Sequence, residues 1–192
     1  MAPWRVHDGR RLRGGSHVVA ASVEIRLAAA WNALADVNDP EIPTVSVVDL
    51  GVIRTVAFSS DGRTLEIELM PTFVGCPAVD VMRDEITAKL SALGIADEVR
   101  VALSFVEAWT SERITARGRE RLRRSGFAPP VPQGRIPPDR DPLDELAVLP
   151  IASCPYCGSR NTTLENPFGP TLCRAIYYCA ACRQPFEQFK TV

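Results

Sequence analysis

Val23, Leu27, Ala30, Trp31 and Leu34 recur at steps of three and four residues. That spacing predicts an amphipathic helix that stops near residues 36–39, ahead of Pro40. Residues 39–51 (DPEIPTVSVVDLG) carry two prolines and three carboxylates and read as a loop or short turn. The pattern then changes period. Residues 52–58 and 64–69 alternate as strands, joined through Ser59-Ser60-Asp61-Gly62, and Asp-Gly between alternating runs is a strong hairpin signal. Leu65, Ile67 and Leu69 share one face and Glu66 and Glu68 the other, so one side of the sheet is buried and one is wet. A second helix is predicted to open at Pro77, a favoured first helical position. Val79, Met82, Ile86, Leu90 and Leu93 form its stripe, and Gly94 ends it. Val99, Val101, Leu103 and Phe105 alternate as a third strand, and a short helix is expected over 111–124.

The order helix–strand–strand–helix–strand–helix implies an α/β (α+β) unit, a small mixed sheet with helices on one face. It is flanked by a leader (1–17) without apolar periodicity, expected to be disordered, and by a proline-rich linker (128–150). This places the α/β domain at 18–127 and a C-terminal segment at 151–192. That last segment is too short for a core of its own and needs a staple.

Composition narrows the function classes. A chain of 192 residues, 46% hydrophobic, 23% charged and with net charge −1, is ordinary globular protein, with no global electrostatic case for a nucleic-acid partner. No apolar run is long enough to span a membrane, and a cytoplasmic location is the default expectation. Both histidines, His7 and His17, lie in the leader, so a Ser–His or Cys–His catalytic pair has no histidine to draw on in the folded part.

The cysteines carry the most specific chemistry. Cys154 and Cys157 form one C-x-x-C pair, Cys179 and Cys182 another, with 21 residues between the pairs. Each C-x-x-C turn sets two thiolates on one side of a knuckle, and two knuckles joined by a hairpin make a tetrahedral four-sulfur cage. This predicts a C-terminal four-cysteine zinc ribbon whose Zn²⁺ staples the fold, since four protein sulfurs leave no open position for catalysis. Such a cage also suits an iron–sulfur cluster. Cys173 is either an extra or substitute ligand or a small buried residue.

Cys76, in Gly75-Cys76-Pro77, sits at a helix start, where unsatisfied N–H groups favour an anionic sulfur. Asp39, Glu41 and Asp49 lie on a neighbouring loop if the sheet pairs as read, and Thr72 precedes the cysteine by four residues. A thiolate beside carboxylates and a hydroxyl suits transient iron. The plainer reading is that the cysteine is packed and the aspartates cap turns. Six arginines between Arg113 and Arg124, against Glu120 alone, make either an acidic-partner patch or, more simply, a solvated helix face.

Residues 39–53 (DPEIPTVSVVDLGVI), 71–78 (PTFVGCPA) and 108–130 (AWTSERIT…GRERLRRSGFAPP), followed by the ribbon CPYCGSRNTTLENPFGPTLCRAIYYCAACRQPFEQFK, resemble the PaaD family. Those are accessory subunits encoded with the phenylacetyl-CoA ring epoxidase, a di-iron oxygenase. The N-terminal half alone is similar to SufT-like iron–sulfur assembly proteins. The resemblance implies a factor that matures iron or iron–sulfur centres of the epoxidase in aerobic phenylacetate catabolism, with no catalytic step of its own. The epoxidase's oxygenase or reductase subunits would be its clients, and other iron–sulfur assembly proteins its partners. It maps Asp39, Glu41, Asp49, Thr72 and Cys76 onto the iron-handling role. The chain departs from the family pattern at Phe73-Val74 and at Val106-Glu107-Ala108 before Trp109. Two alternatives stay open, a non-catalytic scaffold of the oxygenase complex and a thiol-dependent enzyme using Cys76. Oligomeric state is not legible.

Overall fold

The computed structural model describes residues 15–73, 75–130 and 151–190. The leader up to residue 14 and nearly all of the linker lie outside the described residues. Helix α1 (Gly15–Leu34) opens inside the segment expected to be leader. Its inward stripe is Leu27, Ala30 and Leu34, continued by Val37, whereas Trp31 is exposed. Arg26 ties the helix to the sheet: its guanidinium donates to Ile95 O at 2.7 Å and Gly62 O at 2.8 Å and stacks over Phe58 at 3.9 Å.

The segment expected to be a loop contains a small hairpin, β1 (Asn38–Asp39) and β2 (Ile42–Ser46), paired antiparallel. Its two prolines sit where the ladder spares them: Pro40 in the turn and Pro43 as an exposed position of β2. The central sheet has the order β3 (Ile53–Phe58), β4 (Thr64–Leu69), β5 (Glu98–Leu103). β3 and β4 form the expected hairpin, with Gly62 at φ +70° in its turn. β5 lies parallel to β4, the crossover being helix α2 (Ala78–Ala92). Leu65, Ile67 and Leu69 are fully buried against Met82, Ile86 and Leu90 of α2. Leu93, expected in that stripe, is exposed beyond the helix end.

The expected last helix is split. A 3₁₀ turn (Ser111–Arg113) precedes α3 (Ala116–Arg124), because Thr115 caps the helix, its Oγ1 accepting from Gly118 N at 2.9 Å. Gly118 is required by packing: a Cβ there would stand 2.5 Å from Asp49 O. Gly→Ala inside a helix ordinarily gains about 1 kcal/mol. Here the clash should dominate, so Gly118→Ala is expected to cost roughly 1–3 kcal/mol in urea unfolding, and a gain in stability would contradict the packing described.

The C-terminal unit is a four-stranded sheet, β6 (Phe127–Ala128), β9 (Gln184–Phe189), β8 (Arg174–Cys179), β7 (Thr162–Asn166), in that order. β6, at the end of the first unit, pairs parallel with β9, so the ribbon is built onto the first unit through a shared sheet. It has a small core of Ala152, Tyr177 and Phe186, with Tyr177 and Phe186 stacked at 5.6 Å. Phe189 leaves that core and enters the main one, edge-on to Trp109 at 5.8 Å. Among the described residues no helix is long and apolar enough to cross a membrane.

Candidate functional site

The two knuckles meet at the end of the β7–β8–β9 sheet. Cys154 Sγ lies 3.6 Å from Cys182 Sγ, Cys157 Sγ lies 3.6 Å from Cys179 Sγ, and all four sulfurs fall within 4.8 Å of one another. A tetrahedral zinc–thiolate centre with bonds of about 2.3 Å has sulfur–sulfur edges of about 3.8 Å, so the donor set fits a metal of that size. The backbone supports the cage. The N–H of Cys182, with that of Ala181, donates to the Cys179 sulfur and holds its thiol down at about 7. Burial pushes Cys182 up to about 12. Each knuckle turns through a left-handed residue after its second cysteine, Gly158 at φ +74° and Arg183 at φ +60°. The four-cysteine group is a metal-binding site in a zinc-ribbon fold.

The second constellation is divided by the structure. Cys76 stands just before α2, its N–H donating to Phe73 O at 3.2 Å. It lines a cavity of about 230 Å³ together with Asp39, Glu41, Thr72 and, from the ribbon, Cys173 and Phe189. Asp39 is buried, and its Oδ1 accepts from the N–H groups of Glu41 (2.7 Å) and Ile42 (3.1 Å). Burial pushes the Asp39 carboxyl above the ordinary carboxylate range, against the pull of those two N–H groups. Glu41 accepts from Arg174 at 2.6 Å.

Asp49 is elsewhere. It is 1% exposed, accepts from Thr115 Oγ1 at 2.8 Å, and pairs with Arg117 at 2.9 Å and Arg121 at 3.1 Å. It locks the 47–51 turn onto α3 and does not line the cavity. The arginine cluster is engaged internally. Beyond the two on Asp49, Arg113 donates to Gly51 O, Arg119 to Ser111 O and Pro130 O, and Arg123 and Arg124 to Glu120.

Two residues with a part in this site carry little signal in the sequence. Cys173, read above as either a ribbon ligand or a small buried residue, is outside the four-sulfur group and lines the same cavity as Cys76. Arg174, 7% exposed, joins Glu41 of the first unit to Glu187 (2.9 Å) of β9 and donates to Thr171 Oγ1. A fifth cysteine in a four-sulfur ribbon, followed by an arginine in an apolar strand, was the available clue.

The family models agree with this division. An "Iron-sulfur cluster assembly protein" model matches residues 27–103 and a "PaaD zinc beta ribbon domain" model matches 139–190. The chain is 36% identical over 165 residues, 84% of itself and 91% of the relative, to an Escherichia coli protein named as one subunit of a "Putative 1,2-phenylacetyl-CoA epoxidase". Over 82 residues, 43% of the chain and 76% of the relative, it is 32% identical to the "Fe-S protein maturation auxiliary factor" of Porphyromonas gingivalis. Over 83 residues, 43% and 79%, it is 31% identical to "Fe-S protein maturation auxiliary factor YitW" of Bacillus subtilis. The chain, with an iron–sulfur assembly unit followed by this ribbon and similarity along most of its length, belongs to the PaaD family of phenylacetyl-CoA epoxidase subunits.

Proposed function

We propose that this protein is the accessory factor that matures iron or iron–sulfur centres of a phenylacetyl-CoA epoxidase system, with no catalytic turnover of its own. The observation that carries the reading is the cavity between the two units, where Cys76 of the assembly unit opens beside a buried carboxylate and a hydroxyl. Thiolate and carboxylate oxygen together suit ferrous iron as cargo. Its binding would release the thiol proton to solvent. Cys76 is the primary iron ligand, and Asp39 and Thr72, which line the same cavity, offer oxygens. Glu41 is held by Arg174 and shapes the wall rather than binding first. Asp49, with both oxygens taken by α3, holds the turn that carries β2 into place.

In the ribbon, Cys154, Cys157, Cys179 and Cys182 would hold Zn²⁺, whose chemistry there is structural, since the four sulfurs complete its coordination. The client is an oxygenase or reductase component of the epoxidase, met in the cytoplasm, with other iron–sulfur assembly proteins upstream. Oxygen-free reconstitution of the zinc-loaded chain with ferric iron, a thiol reductant and sulfide is expected to give visible absorption in the wild type. Cys76→Ser should lose most of it while keeping its ribbon metal. Equal iron uptake by the two proteins would remove Cys76 from the account and leave the scaffold reading, in which the chain only holds the oxygenase complex together.

A further inference from the structure

Helix α3 carries Arg117, Arg119, Arg121, Arg123 and Arg124 against the single acid Glu120. Their partners within the chain are too few to neutralise them. Arg117 and Arg121 share the one carboxylate of Asp49, and Arg123 and Arg124 share that of Glu120. Arg119 donates to the carbonyls of Ser111 and Pro130. Together with Asp49, the helix is left three charges positive on a chain whose net charge is −1. The four paired arginines are 40% to 75% exposed. Arg117 and Arg124 reach their carboxylates through Nε, which leaves their terminal NH2 groups for a further acceptor. Like charges four residues apart repel along a helix, as Arg117 does Arg121 and Arg119 does Arg123, and an anionic partner relieves that repulsion.

The arginine row runs into a groove. Arg117, Arg121 and Ser125 follow at four-residue steps along one side of the helix. Ser125 lines an open groove of about 310 Å³ with Phe127, Tyr156, Ile176, Pro185 and Phe186. Tyr156 stands between the two cysteines of the first knuckle and is 58% exposed. It lies against Gly126, where a Cβ would come within 3.0 Å of the tyrosine hydroxyl oxygen. Arginine and tyrosine around an apolar floor are the side chains that dominate the energetics of protein interfaces. That floor, with Glu187 in its lining, suits a polypeptide better than a phosphate backbone.

We infer that the arginine row of α3 and the groove beside Tyr156 form one docking surface for an acidic segment of the client protein. This rests on the reading of the chain as an accessory factor of the epoxidase and names the face it presents. Carboxylates of the client lie along Arg117, Arg121 and Arg124, and an apolar side chain fills the groove. The surface draws on both units, α3 from the first and Tyr156, Ile176 and Phe186 from the ribbon, so a docked client holds the two together.

The test titrates the zinc-loaded full chain against the purified oxygenase and reductase components of the epoxidase, each fluorescently labelled. The wild type is expected to bind one of them, more weakly as salt is raised, and poly-L-glutamate is expected to compete. Arg124→Glu, which leaves Arg123 on Glu120, and Tyr156→Ala should each weaken binding by about tenfold. Arg100→Glu, the same charge change on β5, should bind as the wild type does. Should Tyr156→Ala lose its zinc, Arg124→Glu decides. If a component binds the wild type and Arg124→Glu alike, or Arg100→Glu weakens it equally, the surface is overturned and the client reading stands. A complex that poly-L-glutamate leaves intact at low salt would overturn the acidic partner. If neither component binds the wild type, the client reading fails and the surface with it. Duplex DNA bound by the wild type in place of either component, and released by Arg124→Glu, would assign the row to a nucleic acid and overturn the proposal.

Discussion

Cys179→Ala is expected to empty the ribbon of metal and to disturb the α/β unit as well. The first effect follows from size: the ribbon core is Ala152, Tyr177, Phe186 and a few small residues, too little to offset the entropy of ordering some forty residues. Metal binding in comparable four-ligand ribbons contributes about 10–16 kcal/mol of apparent free energy, which makes it the dominant stabilisation of the segment. The Cys179 sulfur is fully buried and receives the knuckle N–H groups of Cys182 and Ala181, so alanine there removes a ligand and leaves those donors unpaired. The second effect follows from the shared sheet. When β9 melts, β6 loses its partner and Phe189 leaves its place against Trp109. Metal content should fall to zero, proteolysis should remove the chain beyond residue 150, and the near-ultraviolet signal of Trp109 should change. A ribbon that stays protease-resistant without metal would contradict this.

Phe189→Ala is expected to destabilise the protein by about 3–5 kcal/mol, as for a large aromatic removed from a closed core. Phe189 is 2% exposed among residues of the main core, although it is contributed by the ribbon. Its edge-on packing against Trp109 contributes beyond area, and Trp109 is itself fixed by donating Nε1–H to Leu50 O at 3.0 Å. The control is Phe168→Ala, 64% exposed, which should stay within about 0.5 kcal/mol. Phe189→Ala should keep its ribbon metal and yet undock. Cys76 would then react faster with iodoacetamide, because the cavity wall formed by Thr171, Leu172 and Cys173 would be gone. Wild-type stability and unchanged Cys76 reactivity would show that the two units do not share a core.

Features that depend on local amphipathic period were legible from the sequence. The β3–β4 hairpin, the α2 stripe and the Val99–Val101 alternation of β5 each follow from neighbours a few residues apart, whereas Leu103 and Phe105, expected on the same face, are exposed and Phe105 lies past the strand. The two C-x-x-C pairs were legible for the same reason, since knuckle geometry is set within each pair. Trp31 fits its stripe by spacing but lies at the stripe's edge, turned to solvent, whereas Leu93 fits the α2 stripe but falls just past the helix end. The β1–β2 hairpin was hidden because Pro40 and Pro43 speak against a strand, although an edge pairing of so few residues tolerates both.

The candidate site was harder, and for one physical reason. Its contacts join residues with no periodic relation: Asp49 to Arg117 across 68 positions, and Glu41 to Arg174 across 133. Sequence gathers Asp39, Glu41, Asp49, Thr72 and Cys76 into one group. Packing keeps four of them on the cavity, sends Asp49 to α3 and brings in Cys173. The arginines do form a solvated face, with Arg124 75% exposed, and from it Arg117 and Arg121 also clasp the Asp49 turn while Arg123 and Arg124 pair with Glu120 along α3.

Element-resolved X-ray absorption on the full chain loaded with zinc and ferrous iron examines the two metal stations together. Zinc is expected with four sulfur neighbours at about 2.3 Å, and iron with a mixed shell of sulfur and oxygen that becomes poorer in sulfur in Cys76→Ser. Iron found in the four-sulfur cage, or surrounded by oxygen alone in the wild type, would contradict the account.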